Sequence, residues 1–598
     1  MADAVARSFA SLAPDSRPAP RTAFDFALQR FLDDQFAAQP VWATQVGFHA
    51  YDDRWPDLSE SGRDARLALL RHHRARFEAL DEHELSRDER IDRGIVLGAI
   101  EELEFSEAEL REPAWDPLWY VYTCGSGLFS LLAREFAPWA HRGAAFAARV
   151  ESLPLVLAQA REALVGLPDR PVSQLHTEAA LNQLGGVEDL ISQGRTEADS
   201  HAAAGELPEL PQRLAAAEDE ARLALADFAD FLRREVQPRA RDEGRLGERL
   251  FAAKLRHTLG SDMSPAQLEQ RALAEYDRVR GEMVSLARGM WSHWLPGRPP
   301  PDVASAGSPA AAADEIVRGV LDAVAREHPP ADQLLSFSQA EIKRIEQFVR
   351  QRGIIGLTDE QLDVTWTPVF MRAYGRAFLD SPGPLDKGLR SYFWITPPDE
   401  SAGPEAVEGY LREENDRMLS LLAIHEGVPG HYLQLAWANR CPSLARAVFA
   451  SGTFIEGWAV YVTQVMVDLG FGADDPALQL THLKYYLRAV TNALMDVRIH
   501  AGQMTEPEAM ALMVGGGFQE QDEARAKWLR ARLTATQLST YFVGSLELWE
   551  LEHEARRRAG DSFDYRRYLE SVISHGSPPT RWLRRILLAD AEGPAGGG

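Results

Sequence analysis

The chain has 598 residues, 45% of them apolar and 26% charged, and a formal net charge of -25. That mix excludes a disordered polymer, and the acidic balance excludes a nucleic-acid partner, because phosphate binding needs clustered Lys and Arg. Two distant cysteines, Cys124 and Cys441, exclude a disulfide framework and favour a reducing, cytoplasmic setting.

Residues 1–21, rich in Ala, Pro and Ser, read as a loose arm without the apolar core of a signal peptide. Residues 22–294 read as a helical N-terminal region covering a cleft. Its first helix, from Thr22 to about Ala38, repeats Phe24, Leu28, Phe31, Leu32 and Phe36 at three- and four-residue steps. Val46 to Pro56 breaks the pattern as a loop. Helices follow at Ser61 to Leu80, Arg90 to Leu110 and Trp139 to Leu164. The apolar run Leu118 to Ala133 is too short and too polar to span a bilayer, so no membrane partner is expected. Thr196 to Pro211 reads as a surface connection, and Leu214 to Val236 as a charged helix. Ser264-Pro265-Ala266-Gln267 carries a reciprocal cap for the next helix.

Pro, Gly, Ala and Ser dominate residues 295–313, a linker or long loop before a catalytic region at 314–590 and a Gly-rich tail at 591–598. In Gln361 to Thr367 and Tyr392 to Thr396 the apolar and β-branched residues suit strands. They predict a small antiparallel sheet beside the metal-site helix in a mainly α fold.

The chemistry concentrates at Ile424-His425-Glu426-Gly427-Val428-Pro429-Gly430-His431, with Glu456-Gly457-Trp458 downstream. Two imidazoles and a carboxylate, with one position left for water, form an open zinc site, and Glu426 is placed to act as general base. The histidines are six positions apart, which on an unbroken helix separates them by about 240°. Pro429 cannot donate to the carbonyl of His425, and Gly427 and Gly430 tolerate unusual backbone angles. The expectation is a widened or broken turn that aims His431 at His425. Glu456 lies in an apolar helix, where a carboxylate needs a partner or a metal.

These stretches resemble the signature of DUF885, a family of bacterial proteins grouped with the zincin-like metallopeptidases. The likeness continues through Asp496-Val497-Arg498-Ile499-His500, Phe518-Gln519-Glu520, Thr536 to Gly544 and Ser574-His575-Gly576-Ser577-Pro578-Pro579. It implies a large helical zincin-like fold of the gluzincin type, with His425, His431 and Glu456 as zinc ligands and Glu426 as base. It implies no particular substrate.

A zinc hydrolase also needs a donor for the developing oxyanion, and His500 and Tyr541 are the candidates, with Arg498 as a clamp for a substrate carboxylate. Against these stand plainer roles: Arg498 paired with an acid, and Tyr541 capping a packed helix. Asp496 could orient a metal histidine, and His575 suits a turn. The expected function is a zinc-dependent hydrolase cleaving a peptide or other amide bond in a small substrate. The alternatives are a metal enzyme acting on a non-peptide metabolite and a silent binding protein on the same scaffold.

Overall fold

The computed structural model describes residues 17–588 apart from 242–243, 369–370 and 373–374. The arm at 1–21 falls largely, and the tail at 591–598 wholly, outside the described residues. The chain forms two compact units. One is Met1–Gly244 with Pro382–Leu389; the other is Arg245–Ser381 with Arg390–Gly598.

The first unit is helical. Thr22 and Asp25 form a reciprocal cap on Ala23–Ala38, whose Phe24, Leu28, Phe31, Leu32 and Phe36 are buried, as the periodicity requires. A long helix at Gln174–Ala203 runs through the expected connection at Thr196. The reason is local: Thr196 and Ser200 donate their hydroxyls to carbonyls four residues back, at 3.0 Å each, and so tolerate the helix interior. The loop containing His49 folds onto Pro382–Leu389. His49 donates from Nδ1 to Asp52 and from Nε2 to Asp386, both at 3.0 Å. Leu385 N–H donates to the carbonyl of Val46 at 2.9 Å. Gly47, at φ +88°, is needed there, because a Cβ would lie 2.5 Å from the Asp386 nitrogen.

The second unit holds the only sheet among the described residues. Its strands are β1 (Leu362–Trp366), β2 (Ala377–Asp380) and β3 (Ser391–Ile395), in the order β1-β3-β2. β1 runs parallel to β3 with Val364 opposite Phe393, and β2 runs antiparallel to it with Leu379 opposite Phe393. The sheet is therefore mixed, where an antiparallel one was expected; β2 takes the far edge of β3 and leaves β1 the parallel side. β3 is the most buried strand, and its Phe393 and Ile395 join Ile424, Leu433, Phe454, Trp458 and Tyr461 in the core.

Residues 295–313 lie within this unit. The stretch contains a capped turn of helix at Val303–Ala306, and Ser308 and Pro309 begin the next helix, Pro309–Val324. The units divide between Gly244 and Arg245 instead. Among the described residues, no helix is long and apolar enough to cross a membrane.

Candidate metal centre and its cavity

Asn415 caps the helix Asp416–Leu422, which buries Met418 and Leu421 and ends in a widened turn of π type, Ala423–Gly427. The helix then breaks, and a new one, His431–Ala438, starts after Gly430. Val428 N–H reaches back to the Ala423 carbonyl and Gly430 N–H to that of Ile424, at 3.3 and 3.0 Å. Pro429, which has no N–H, sits at the break after a cis peptide bond. A Cβ on Gly430 would lie 1.9 Å from the His425 carbonyl oxygen, so only glycine fits. The outcome is that the two imidazoles meet, their centroids 4.8 Å apart at an interplanar angle of 82°.

The neighbouring helix, Gly452–Asp468, supplies three consecutive parts. Glu456 brings Oε2 to 3.4 Å from Nε2 of His431. Gly457 meets Gly544 of the helix Thr540–Ala559 so closely that a Cβ would fall 2.4 Å from the Gly544 Cα. Trp458 donates its indole N–H to the Pro429 carbonyl at 2.9 Å, fastening the broken turn to the Glu456 helix. Glu426 accepts the backbone N–H of Leu379, on β2, at 3.1 Å.

Donor atoms of His425, Glu426 and His431 all lie within 4.8 Å of one another. The Nδ1 atoms of His425 and His431 are buried without a hydrogen-bond partner. On His431 the nitrogen that faces the Glu456 carboxylate is Nε2, and a ligating imidazole offers one ring nitrogen to the metal. Burial, and then the neighbouring His431, push the His425 imidazole well below its usual range. Burial also acts against a charged His431, but the Glu456 and Glu426 carboxylates outweigh it and raise its pKa. The Glu426 carboxyl is pushed up to about 7, chiefly by burial, with His431 opposing and Glu456 adding to the rise.

The cluster opens into a cavity of about 750 Å³ within the second unit, walled by β2, by Tyr485 and Arg488, by Lys527 and Arg530, and by Tyr541. The chain matches the family described as a bacterial protein of unknown function, DUF885, over residues 40–587. It belongs to that family. A lipoprotein of unknown function from Shewanella oneidensis, so named provisionally, has a solved structure similar to it. That protein is 30% identical, with a TM-score of 0.80 over 95% of this chain and 100% of the other. A second solved structure, named provisionally as a lipoprotein from Colwellia psychrerythraea, is 16% identical, with a TM-score of 0.76 over 95% and 98%. It shares the fold. No curated protein matches.

In this DUF885 chain, Tyr541 reaches the cavity, with its hydroxyl accepting from Gln537 Nε2 at 3.0 Å. Burial and the nearby Glu456 push that phenol up to about 12. His500 does not line the cavity: its Nε2 donates to the Ala531 carbonyl at 2.9 Å and its ring stacks on Phe251. Arg498 is also elsewhere, paired with Glu269 at 2.7 Å. Both sit at the end of the helix Pro476–His500, where Arg498 is about 20 Å along the axis from the cavity-lining Tyr485. Asp496 does not orient a metal histidine. Its carboxylate accepts the N–H groups of Thr536 and Ser539, at 2.9 and 3.1 Å, and so braces the turn that precedes Tyr541. His575 lies in a turn outside the cavity lining.

Sequence reasoning missed Tyr485, whose ring stands 5.6 Å from that of His425. The signal was present: His482, Tyr485, Ala489 and Asn492 recur at helical spacing and share the cavity face. The cations Arg376, Arg488, Lys527 and Arg530 were missed too, since a lone basic residue in sequence reads as solvated surface.

Proposed function

We propose that this protein is a metal-dependent hydrolase with a zincin-like site, cleaving a peptide or other amide bond in a small substrate. The observation that carries the reading is that His425 meets His431 and His431 meets Glu456, an arrangement reached only by breaking the helix between the histidines. The 3.4 Å from His431 Nε2 to Glu456 Oε2 is close to the separation of about 3.3 Å between two ligands of a tetrahedral zinc. The donor atoms of His425, Glu426 and His431, within 4.8 Å of one another, fit the same group. Zinc bound there would polarise the scissile carbonyl and make water acidic enough to attack near neutral pH.

The chain's own residues do the rest. Glu426, steadied by Leu379 N–H and with its carboxyl near 7, accepts the proton of the attacking water and hands it to the leaving nitrogen. Tyr541 offers a phenol to the developing oxyanion. β2 is an edge strand whose backbone can pair with an extended substrate.

In Glu426→Gln protein, metal content should stay near one equivalent while turnover falls by about 10²–10⁴-fold; unchanged turnover removes Glu426 from this role. The mutual grouping of His425, Glu426 and His431 favours a second arrangement, with Glu426 as ligand and Glu456 as base. Metal lost from Glu426→Gln and retained in Glu456→Gln would select it. The compartment we propose is the cytoplasm, on a sequence with only two cysteines, Cys124 and Cys441, far apart in the chain. The lipoprotein names of the similar structures favour the cell envelope, and fractionation decides between them.

A further inference from the structure

We propose, resting on the hydrolase reading, that the cavity selects substrates bearing a free carboxylate, which Arg376, Lys527 and Arg530 bind beside the metal centre. Apart from Glu426 and Glu456, the charged lining comprises the cations Arg376, Arg488, Lys527 and Arg530 against the carboxylates Glu414 and Glu523. With Glu426 and Glu456 counted, four cations face four carboxylates, so on a chain whose net charge is -25 the cavity is locally rich in positive charge.

The cations are not equally engaged. Arg488 is saturated between Glu523 and Glu413, and Lys484 takes the other Glu413 oxygen at 2.8 Å. Arg376 meets Glu414 only at 3.5 Å. Burial pushes that carboxyl up to about 7, so it neutralises Arg376 incompletely near neutral pH. Lys527 donates to the Gln519 amide at 3.0 Å and lies 3.6 Å from Glu523. Arg530 donates to the Gln537 amide at 3.1 Å. Amide oxygens accept hydrogen bonds without cancelling charge, so an incoming carboxylate improves on them. Burial, and then Arg488, push the Lys527 amine down to about 7, and a bound anion would restore its charge.

Placement connects this wall to the chemistry. Lys527 and Arg530 are neighbours three apart on the helix Gln521–Leu533. Gln537 accepts from Arg530 and in turn donates to the Tyr541 hydroxyl at 3.0 Å. A carboxylate on the wall therefore sits one amide side chain away from the proposed oxyanion donor. The volume of about 750 Å³ suits a short peptide. The carboxylate can be the C-terminus of a peptide or an acidic side chain, and the chemistry of recognition is the same.

The test compares three probes: acetyl-Ala-Ala as the free acid, the same dipeptide as its carboxamide, and acetyl-Glu-Ala carboxamide. Binding is measured on full-length Glu426→Gln protein with zinc added, and turnover on the unaltered protein. The free acid should bind about 10–100-fold more tightly than the carboxamide. Adding Arg376→Gln and Arg530→Gln should collapse most of that ratio. Recovery of affinity by the glutamyl carboxamide assigns the wall to a side chain; no recovery assigns it to the C-terminus. Equal affinity for acid and carboxamide overturns the proposal, and so does a preference that survives the double substitution combined with Lys527→Gln, which would put the carboxylate on the metal. Thermal melting verifies folding of the double variant, and Lys527→Gln supplies an independent second one. Discrimination in binding with no turnover of any probe would sink the hydrolase reading alone; turnover without discrimination would sink this one alone.

Discussion

At Gly430 the backbone approaches the carbonyl of the residue that it must pass to close the site, and a methyl group there would occupy the same space as the His425 oxygen. Gly430→Ala should therefore destabilise the protein by about 2–4 kcal/mol, read as a lower melting temperature, and weaken metal binding together with it. A variant that melts normally and still binds metal would mean that the turn can relax elsewhere. Gly289, inside the helix Pro265–Trp294 with nothing within 4 Å of a built Cβ, gives the opposite sign. Gly289→Ala should stabilise by about 0.5–1 kcal/mol. The two substitutions separate glycine used for close approach from glycine merely tolerated. The break at Val428–Gly430 was legible in the sequence, because a proline between histidines six apart leaves no helical solution. That the Glu426 carboxylate would be held by the Leu379 N–H was not legible, since β2 is a four-residue strand with no alternating pattern.

Elements matter to the site chiefly through their spacing. The Glu456 helix and the Tyr541 helix touch backbone to backbone at Gly457 and Gly544, so the depth at which each presents its functional side chain is set by that contact. Gly457→Ala should push them apart, costing about 1–3 kcal/mol. Because Glu456 is the adjacent residue, zinc affinity should fall about tenfold or more in calorimetric titration. If stability falls and zinc affinity does not, Glu456 is not a ligand. The same scale explains why Arg498 and His500 were misplaced by sequence reasoning. Membership of a motif says that residues matter, but a helix 25 residues long carries its two ends to different environments. His482, Tyr485, Ala489 and Asn492 face the cavity, while the last turns bury His500 against Ala531 and Phe251. Caps were read more safely. Ser264 and Gln267 bond as expected, at 3.2 and 2.9 Å, because capping is decided within four residues.

Over the whole molecule, the charge cluster of the first unit sets a pH dependence. Burial alone would lower the His49 pKa, but hydrogen bonds to Asp386 and Asp52 prevail and hold it up at about 9. A histidine raised in the folded state stabilises fully below its unfolded value of about 6.5, and that contribution fades as pH rises through the folded value. Asp52 opposes this at the acid end: His141, 3.6 Å away, and the hydrogen-bonded His49 outweigh burial and hold it at about 2, so its contribution is lost as pH falls toward that value. Asp386→Asn should accordingly cost about 2–4 kcal/mol at pH 6 and progressively less as pH rises from about 6.5 through about 9, measured by denaturant titration across that range. A deficit that does not shrink with alkalinity would show that the pair is not ionic.

Asp386, one of the two carboxylates that grip His49, lies between β2 and β3, so the polypeptide leaves the second unit at Ser381, serves the first, and returns at Arg390. Cooperativity follows from that itinerary. Once the first unit melts, Pro382–Leu389 loses the contacts that hold its middle while its ends stay on β2 and β3, so those strands must close a floppier loop. Calorimetry should record a single transition for the wild-type chain, and Asp386→Asn should split or broaden it at pH 6. Two well-separated transitions in the unaltered protein would mean that the units melt as strangers despite the shared thread.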